Sequence, residues 1–415
     1  MTVASSPRIL ESYVAGRWTR GAKSGQILLD ASTGAPVATI DASGLDMAAT
    51  LDHARRKGGH ALRRMSFHER AAMLKALGQY LMERKENFYA LSAATGATRA
   101  DSWIDIEGGV GTLLSYASKG RRELPNTRVL VDGDVEALSR DGTFFAQHIL
   151  TPLEGAAIHI NAYNFPCWGM LEKIAPSLLA GMPCIVKPAS QTAYLTELMV
   201  RAMIDSALLP EGALQLVCGS LGDMLSHVDG QDVVTFTGSA STGRMLRASK
   251  AIVENSVRFT MEADSLNSSV LGPDAAPGTP EFDLFVREVV REMTVKAGQK
   301  CTAIRRALAP RAFAPALAEA IGKKLAQTTV GAPETEGVRM GPLASLAQRE
   351  EVRGRIAELA RDAEIVAGDP ESATIASRTA PRASNSVSAF ARSSAAASAP
   401  AALAYFFSAT SDAAA

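Results

Sequence analysis

A chain of 415 residues is long enough for two or three domains with a large buried core, and its 47% hydrophobic and 21% charged residues are ordinary for a soluble globular protein. Lysine plus arginine equal aspartate plus glutamate at 43 each, which argues against a nucleic-acid or membrane-surface binder, and no apolar run is long enough to span a bilayer. The four cysteines, Cys167, Cys184, Cys218 and Cys301, have no metal-ligand spacing, and the first residues lack a secretory signal. The expectation is a reduced, cytoplasmic, multidomain protein without a metal.

Residues 1–40, with Trp18, Gly25 and Gly34, read as short strands and loops. From Leu45 to about Gly120 the pattern is helical. Ser66 and Glu69 form a capping box ahead of Met73, Leu74, Leu77, Leu81 and Phe88, which recur at helical spacing. A second helical run, Ser102 to Arg121, carries Gly108, Gly109 and Gly111, which imply close helix packing. Residues 124–150 turn strand-like, with turns at Asp132-Gly133 and Asp141-Gly142, and read as an antiparallel ribbon.

From Gly155 strands alternate with helices. Ala156–Ile160, Cys184–Val186, Leu214–Val217 and Val233–Phe236 are short apolar strands, with helices from about Cys167 to Leu179 and Ala193 to Leu208. Such alternation implies a doubly wound parallel sheet, whose ligands lie at the carboxyl ends of its strands. Several chemistry-bearing residues fall there. Asn161 and Asn164 follow the first strand, and Lys187 and Ser190 follow the second. Gly238, Ser239 and Gly243 lie where a strand turns into a helix, so that a pyrophosphate can approach the free N–H groups of a helix start. Each signal is weak alone: Asn164 is equally a turn residue, and Lys187 equally a solvated lysine.

Glu262 follows a strand from Val257 to Met261, and alone it reads as a surface carboxylate. After an amphipathic run, Phe282 to Lys296, comes Ala297-Gly298-Gln299-Lys300-Cys301. A cysteine after a glycine-bearing turn can face a cleft as a thiolate nucleophile, or can be a small buried hydrophobe.

Together, Asn164-Phe165-Pro166, Lys187-Pro188-Ala189-Ser190, Phe236-Thr237-Gly238-Ser239, Glu262 and Gly298-Gln299-Lys300-Cys301 resemble the aldehyde dehydrogenase superfamily over about residues 10–370. Thr260 to Asn267, Gly298 to Arg306 and Ala97 to Trp103 narrow the likeness to members that oxidise coenzyme A-linked semialdehydes in aerobic aromatic degradation. The dehydrogenase half of the bifunctional phenylacetate ring-opening protein is similar too. The resemblance implies an α/β fold with a nucleotide-binding domain from 1–123 and 151–258 and an oligomerisation ribbon at 124–150. It places an incomplete catalytic domain at 259–370. It also implies that Cys301 is the nucleophile, Glu262 the general base and Asn164 an oxyanion donor. Asn161, Lys187, Ser190, Gly238, Ser239 and Gly243 become cofactor contacts. Ser190, where NAD-preferring members carry glutamate, favours NADP over NAD. The expected substrate is a coenzyme A-thioester aldehyde and the expected assembly a homodimer of the intact chain. A coenzyme A-acylating reaction is the other enzymatic reading, and Glu262 argues against it.

After Pro370 the composition becomes Ala/Ser-rich, and the family's Glu-x-Phe-Gly-Pro is absent. Residues 371–415 therefore read as a frame-shifted tail, expected to be coil or isolated helix. On that reading the chain is truncated, and a non-catalytic nucleotide-binding product is the alternative function.

Overall fold

Short apolar runs with alternating burial set the frame of the molecule. The computed structural model of the protein describes residues 7–368, 389–393 and 402–407. Among them, Arg258–Ala263, Val233–Gly238, Ala157–Ile160, Cys184–Lys187 and Leu214–Leu216 pair in that order as parallel strands. Ser12–Val14 and Arg17–Thr19 extend the sheet antiparallel, giving seven strands. Successive strand side chains point to opposite faces. Ala157, Cys184 and Val186 accordingly enter a core with the helices Phe67–Glu83, Arg99–Arg122 and Trp168–Leu179. Ile158, Ile160 and Ile185 enter a second core, on the other face, with Met47, Leu51 and Ile252. This is the doubly wound sheet expected from the sequence.

The Phe67–Glu83 helix begins at the expected capping box, Ser66 with Glu69. It stops at Arg84, and Phe88 belongs to a second helix, Lys85–Ser92. The longer helix, Arg99–Arg122, starts three residues earlier than read, because Thr98 and Asp101 form a second capping box. Its glycines divide. A Cβ on Gly109 would stand 2.8 Å from the Trp168 Cα, so the expected close approach is real there. Gly111 faces nothing within 4 Å, and the packing expectation fails at that position.

Asp105, in the second turn of the same helix, is buried and accepts the N–H groups of Trp168 (2.9 Å) and Cys167 (3.2 Å) at the start of Trp168–Leu179. It satisfies donors that a helix start leaves orphaned. Asp105→Ala is expected to lower stability by about 1–2 kcal/mol. Urea unfolding reads this as a lower midpoint with an unchanged slope; an unmoved midpoint would show that the two bonds add nothing.

Leu130–Ala137 and Phe145–Leu150 form a separate antiparallel ribbon. Asp132-Gly133 is not a turn, as expected, but a register shift inside the first strand; the chain reverses near Asp141-Gly142. The Arg258–Ala263 strand, assigned from the sequence to the catalytic part from residue 259 on, pairs instead with Val233–Gly238. Glu262 thus lies on the edge strand of the seven-stranded sheet.

A second sheet holds Asn267–Val270, Ile304–Ala309, Ala402–Phe407, Ala389–Ser393 and Ala363–Ala367, in that order. The expectation of a tail without strands is corrected at two segments: 402–407 pairs antiparallel with Ile304–Ala309, and 389–393 bridges to Ala363–Ala367. The edge of Ile304–Ala309 offers N–H and C=O groups to any strand-forming segment, and Leu403, Tyr405, Phe406 and Phe407 are such formers. The remaining tail residues lie outside the described set. No described helix is long and apolar enough to cross a membrane.

Candidate active site

The carboxyl ends of neighbouring strands assemble the site. Ile160 lies opposite Lys187 and Phe236 opposite Ile160, which brings Asn161, Lys187 and Thr237 to one edge. Glu262 lies opposite Thr237 on the next strand. The Pro280–Thr294 helix, started by Thr279 and Pro280, leads into the loop that carries Cys301. That loop is a kinked turn, Val295–Gly298, followed by Cys301.

A cleft of about 340 Å³ is lined by Asn164, Gly238, Glu262, Asp264, Asn267 and Cys301, among others. It therefore unites the nucleophile, base and oxyanion residues expected from the sequence. The Asn164 Nδ2 donates to the Gln299 carbonyl at 3.1 Å, which docks the Asn164 turn on the Cys301 loop. Asn267 Nδ2 donates to the Cys301 and Ala303 carbonyls at 2.5 and 3.0 Å. Cys301 is exposed to the cleft, whereas Cys167, Cys184 and Cys218 are buried. Partial desolvation, then the Glu262 carboxylate and a hydrogen bond to it, push the Cys301 thiol above the ordinary cysteine value. The thiol must lose its proton to become a nucleophile, and the nearby Glu262 charge opposes that loss.

The cofactor residues are placed less uniformly. Asn161 is buried, and its Nδ2 has no partner among the described residues. Lys187 is also buried at its strand end, and desolvation lowers its pKa. An unpaired amide and a desolvated ammonium at one strand edge fit hydroxyl and phosphate groups of a nucleotide. Ser190 opens a short 3-10 turn, Ser190–Thr192, beyond that edge. Ser239 caps the Ala240–Arg247 helix by accepting from the Thr242 N–H at 3.2 Å. Gly243 follows in the same helix. Its missing side chain makes room for Met261, whose Sδ would collide with a Cβ there. Asn161, Lys187, Ser190, Ser239 and Gly243 do not line the cleft that holds Cys301.

Two residues carry no signature in the sequence motifs. Lys173 donates to Asn161 Oδ1 (2.9 Å) and Thr237 Oγ1 (2.7 Å), and burial brings its ammonium down to about 8. Its neighbour Glu172 is half-buried, and desolvation and Glu262 raise its carboxyl pKa while Lys173 lowers it. Adjacent charges inside the apolar helix Trp168–Leu179 were the available signal, masked by Leu171, Ile174 and Leu178, which mark that helix as packing.

The aldehyde dehydrogenase family model matches residues 18–378. A 3,4-dehydroadipyl-CoA semialdehyde dehydrogenase of Aromatoleum evansii is 47% identical over 364 residues, 87% of this chain and 70% of that protein. An alpha-ketoglutaric semialdehyde dehydrogenase of Bacillus subtilis is 27% identical, over 69% of this chain and 56% of that protein. Among solved structures, an NADP-dependent enzyme of E. coli superposes with a TM-score of 0.76 at 21% identity, over 92% of this chain and 76% of the other. That last likeness shows the fold. The extent of the family match and the 47% identity together establish that this chain belongs to the aldehyde dehydrogenase family of oxidoreductases.

Proposed function

We propose that the protein oxidises a coenzyme A-linked semialdehyde, 3,4-dehydroadipyl-CoA semialdehyde or a close homologue, to the carboxylic acid with NADP. The observation that carries this is the meeting of Cys301, Glu262 and Asn164 around one cleft, in a chain 47% identical to an enzyme named for that substrate. The Cys301 thiol gives up its proton to solvent, and the thiolate sulfur bonds to the aldehyde carbon as a thiohemiacetal. The Asn164 amide and the Cys301 backbone N–H hold the oxyanion. A bound nicotinamide would supply the hydride acceptor that this carbon needs. A thioester remains on Cys301; Glu262 takes a proton from water, which attacks the thioester and releases the acid and the thiol.

Asn161, Lys187 and Ser190 would hold the adenosine ribose side of the cofactor, and the Gly238-Ser239 turn its phosphates. Asp264 already accepts the Ala240 N–H at 3.3 Å, so it must yield if a pyrophosphate takes that donor. Ser190→Glu is expected to lower the preference for NADP over NAD by about one to two orders of magnitude, because a carboxylate would face the 2′-phosphate. The kcat/KM ratio of the two cofactors measures this, and an unchanged ratio would place the 2′-phosphate elsewhere.

The ribbon exposes Val131, Val135, Phe144, Phe145 and Ile149. We infer that it mediates a homodimer, as exposed apolar patches of this kind commonly mark interfaces. The test of the function is NADPH formation from the coenzyme A-linked semialdehyde beside free aldehydes of the same chain length. Efficient turnover of the coenzyme A-linked compound, with the acid as product, is expected. Turnover confined to free aldehydes would remove the substrate assignment.

A further inference from the structure

The turn that carries Cys301 is built from unusual residues. Lys296 and Ala297 both adopt left-handed backbone, each with φ near 52°, where glycine or asparagine is the ordinary choice. A strained lysine persists only where its surroundings over-determine it. Here its N–H donates to Asp101 Oδ1 at 2.9 Å, and its carbonyl accepts from Gln299 Nε2 at 3.0 Å. The side chain is buried, with 7% of the residue exposed, and the Nζ stands 4.5 Å from the centroid of the Phe165 ring. Phe165 adjoins Asn164, which in turn donates to the Gln299 carbonyl. Lys296 therefore touches both halves of the site, the nucleophile loop through its backbone and the Asn164 turn through its ammonium.

We propose that Lys296 is a positioning residue, whose ammonium on the face of Phe165 clamps the Asn164 turn against the Cys301 loop and keeps oxyanion donor and nucleophile in register. The proposal rests on the roles given above to Cys301 and Asn164. A lysine is chosen over glycine because glycine would make the turn but not the clamp.

That difference supplies the test. Lys296→Gly relieves the left-handed backbone but removes a cation acting on the buried Asp105, so thermal stability should change little. If the clamp positions the site, kcat should nonetheless fall about tenfold with KM little changed, the order of a desolvated cation–π contact. Lys296→Arg keeps a cation over the ring and should restore most of the rate. A second readout needs no turnover: the pH midpoint of Cys301 alkylation by iodoacetamide, followed on the Cys301 peptide. The charged groups acting on this thiol include Glu262, Glu172 and Arg305. Release of the loop should move the midpoint down toward the ordinary cysteine value in Lys296→Gly and leave it in place in Lys296→Arg. An inactive wild type would count against the proposed function, while the alkylation midpoints would still decide the clamp. Wild-type kcat and midpoint in Lys296→Gly would reduce Lys296 to a turn former and overturn the proposal. Should Lys296→Gly fail to fold, Phe165→Leu decides: the same tenfold loss supports the clamp, and an unchanged rate overturns it.

Discussion

Cys301→Ala is expected to lower aldehyde oxidation by about four orders of magnitude or more while leaving NADP affinity unchanged, because only the bond-forming atom is removed. The structure makes the assignment selective. Cys301 opens onto the cleft, whereas Cys167 is buried, its thiol pKa driven up by desolvation and by Asp105. Cys167 lies at the start of the Trp168–Leu179 helix, and its N–H is held by Asp105. Iodoacetamide should therefore mark Cys301 and spare Cys167, Cys184 and Cys218, with loss of activity following the Cys301 label. Turnover measured by NADPH absorbance, beside cofactor titration by fluorescence, checks both parts. Retained turnover in Cys301→Ala, or inactivation that follows a Cys167 label, would remove the nucleophile assignment.

Glu262→Gln is expected to divide the reaction in two. Glutamine keeps the shape of the side chain but cannot take a proton from water, so hydrolysis of the thioester should slow by about 10²–10⁴. Hydride transfer in the first turnover should survive, giving a burst of NADPH and then a stall. The same substitution should act on the free thiol in the opposite sense. The Glu262 carboxylate helps hold the Cys301 pKa above its ordinary value. Removing that negative charge lowers the pKa, raises the thiolate fraction at any pH below it, and speeds alkylation at neutral pH. Rapid-mixing absorbance measures the burst, and the pH dependence of alkylation measures the thiol. Loss of the burst would show that Glu262 is needed before hydride transfer, and slower alkylation would contradict the electrostatic reading of the pair.

Much of this site was legible because its chemistry sits at strand ends. Ala156–Ile160, Cys184–Val186 and Val233–Phe236 are too short and too apolar to be anything but buried strands between helices, so the residues just after each strand must gather at one edge. Asn164 and Glu262 were found at strand ends and Cys301 at the glycine-bearing turn after an amphipathic run, with the resemblance supplying their roles. Other features depended on contacts that no local pattern encodes. Gly243 has the spacing of a phosphate-loop glycine, yet its constraint comes from Met261 on the adjacent strand. Lys173 and Glu172 gain their meaning only when the helix sets them beside Asn161, Thr237 and Glu262. The left-handed Lys296-Ala297 pair could not be read either, since neither residue type favours that backbone. Likewise the strands at 389–393 and 402–407 were missed because Ala/Ser-rich composition hides short strand formers, and pairing depends on a distant edge.

The central claim is that the substrate aldehyde becomes a thioester on Cys301, which Glu262 and water then release. Peptide mass spectrometry of Glu262→Gln after brief exposure to the coenzyme A-linked semialdehyde and NADP tests it most directly. The expected product is a Cys301 peptide carrying the substrate's acyl group, formed only with NADP present and absent from Cys301→Ala. An unmodified Cys301 peptide after the NADPH burst, or the acyl group on another residue, would contradict it.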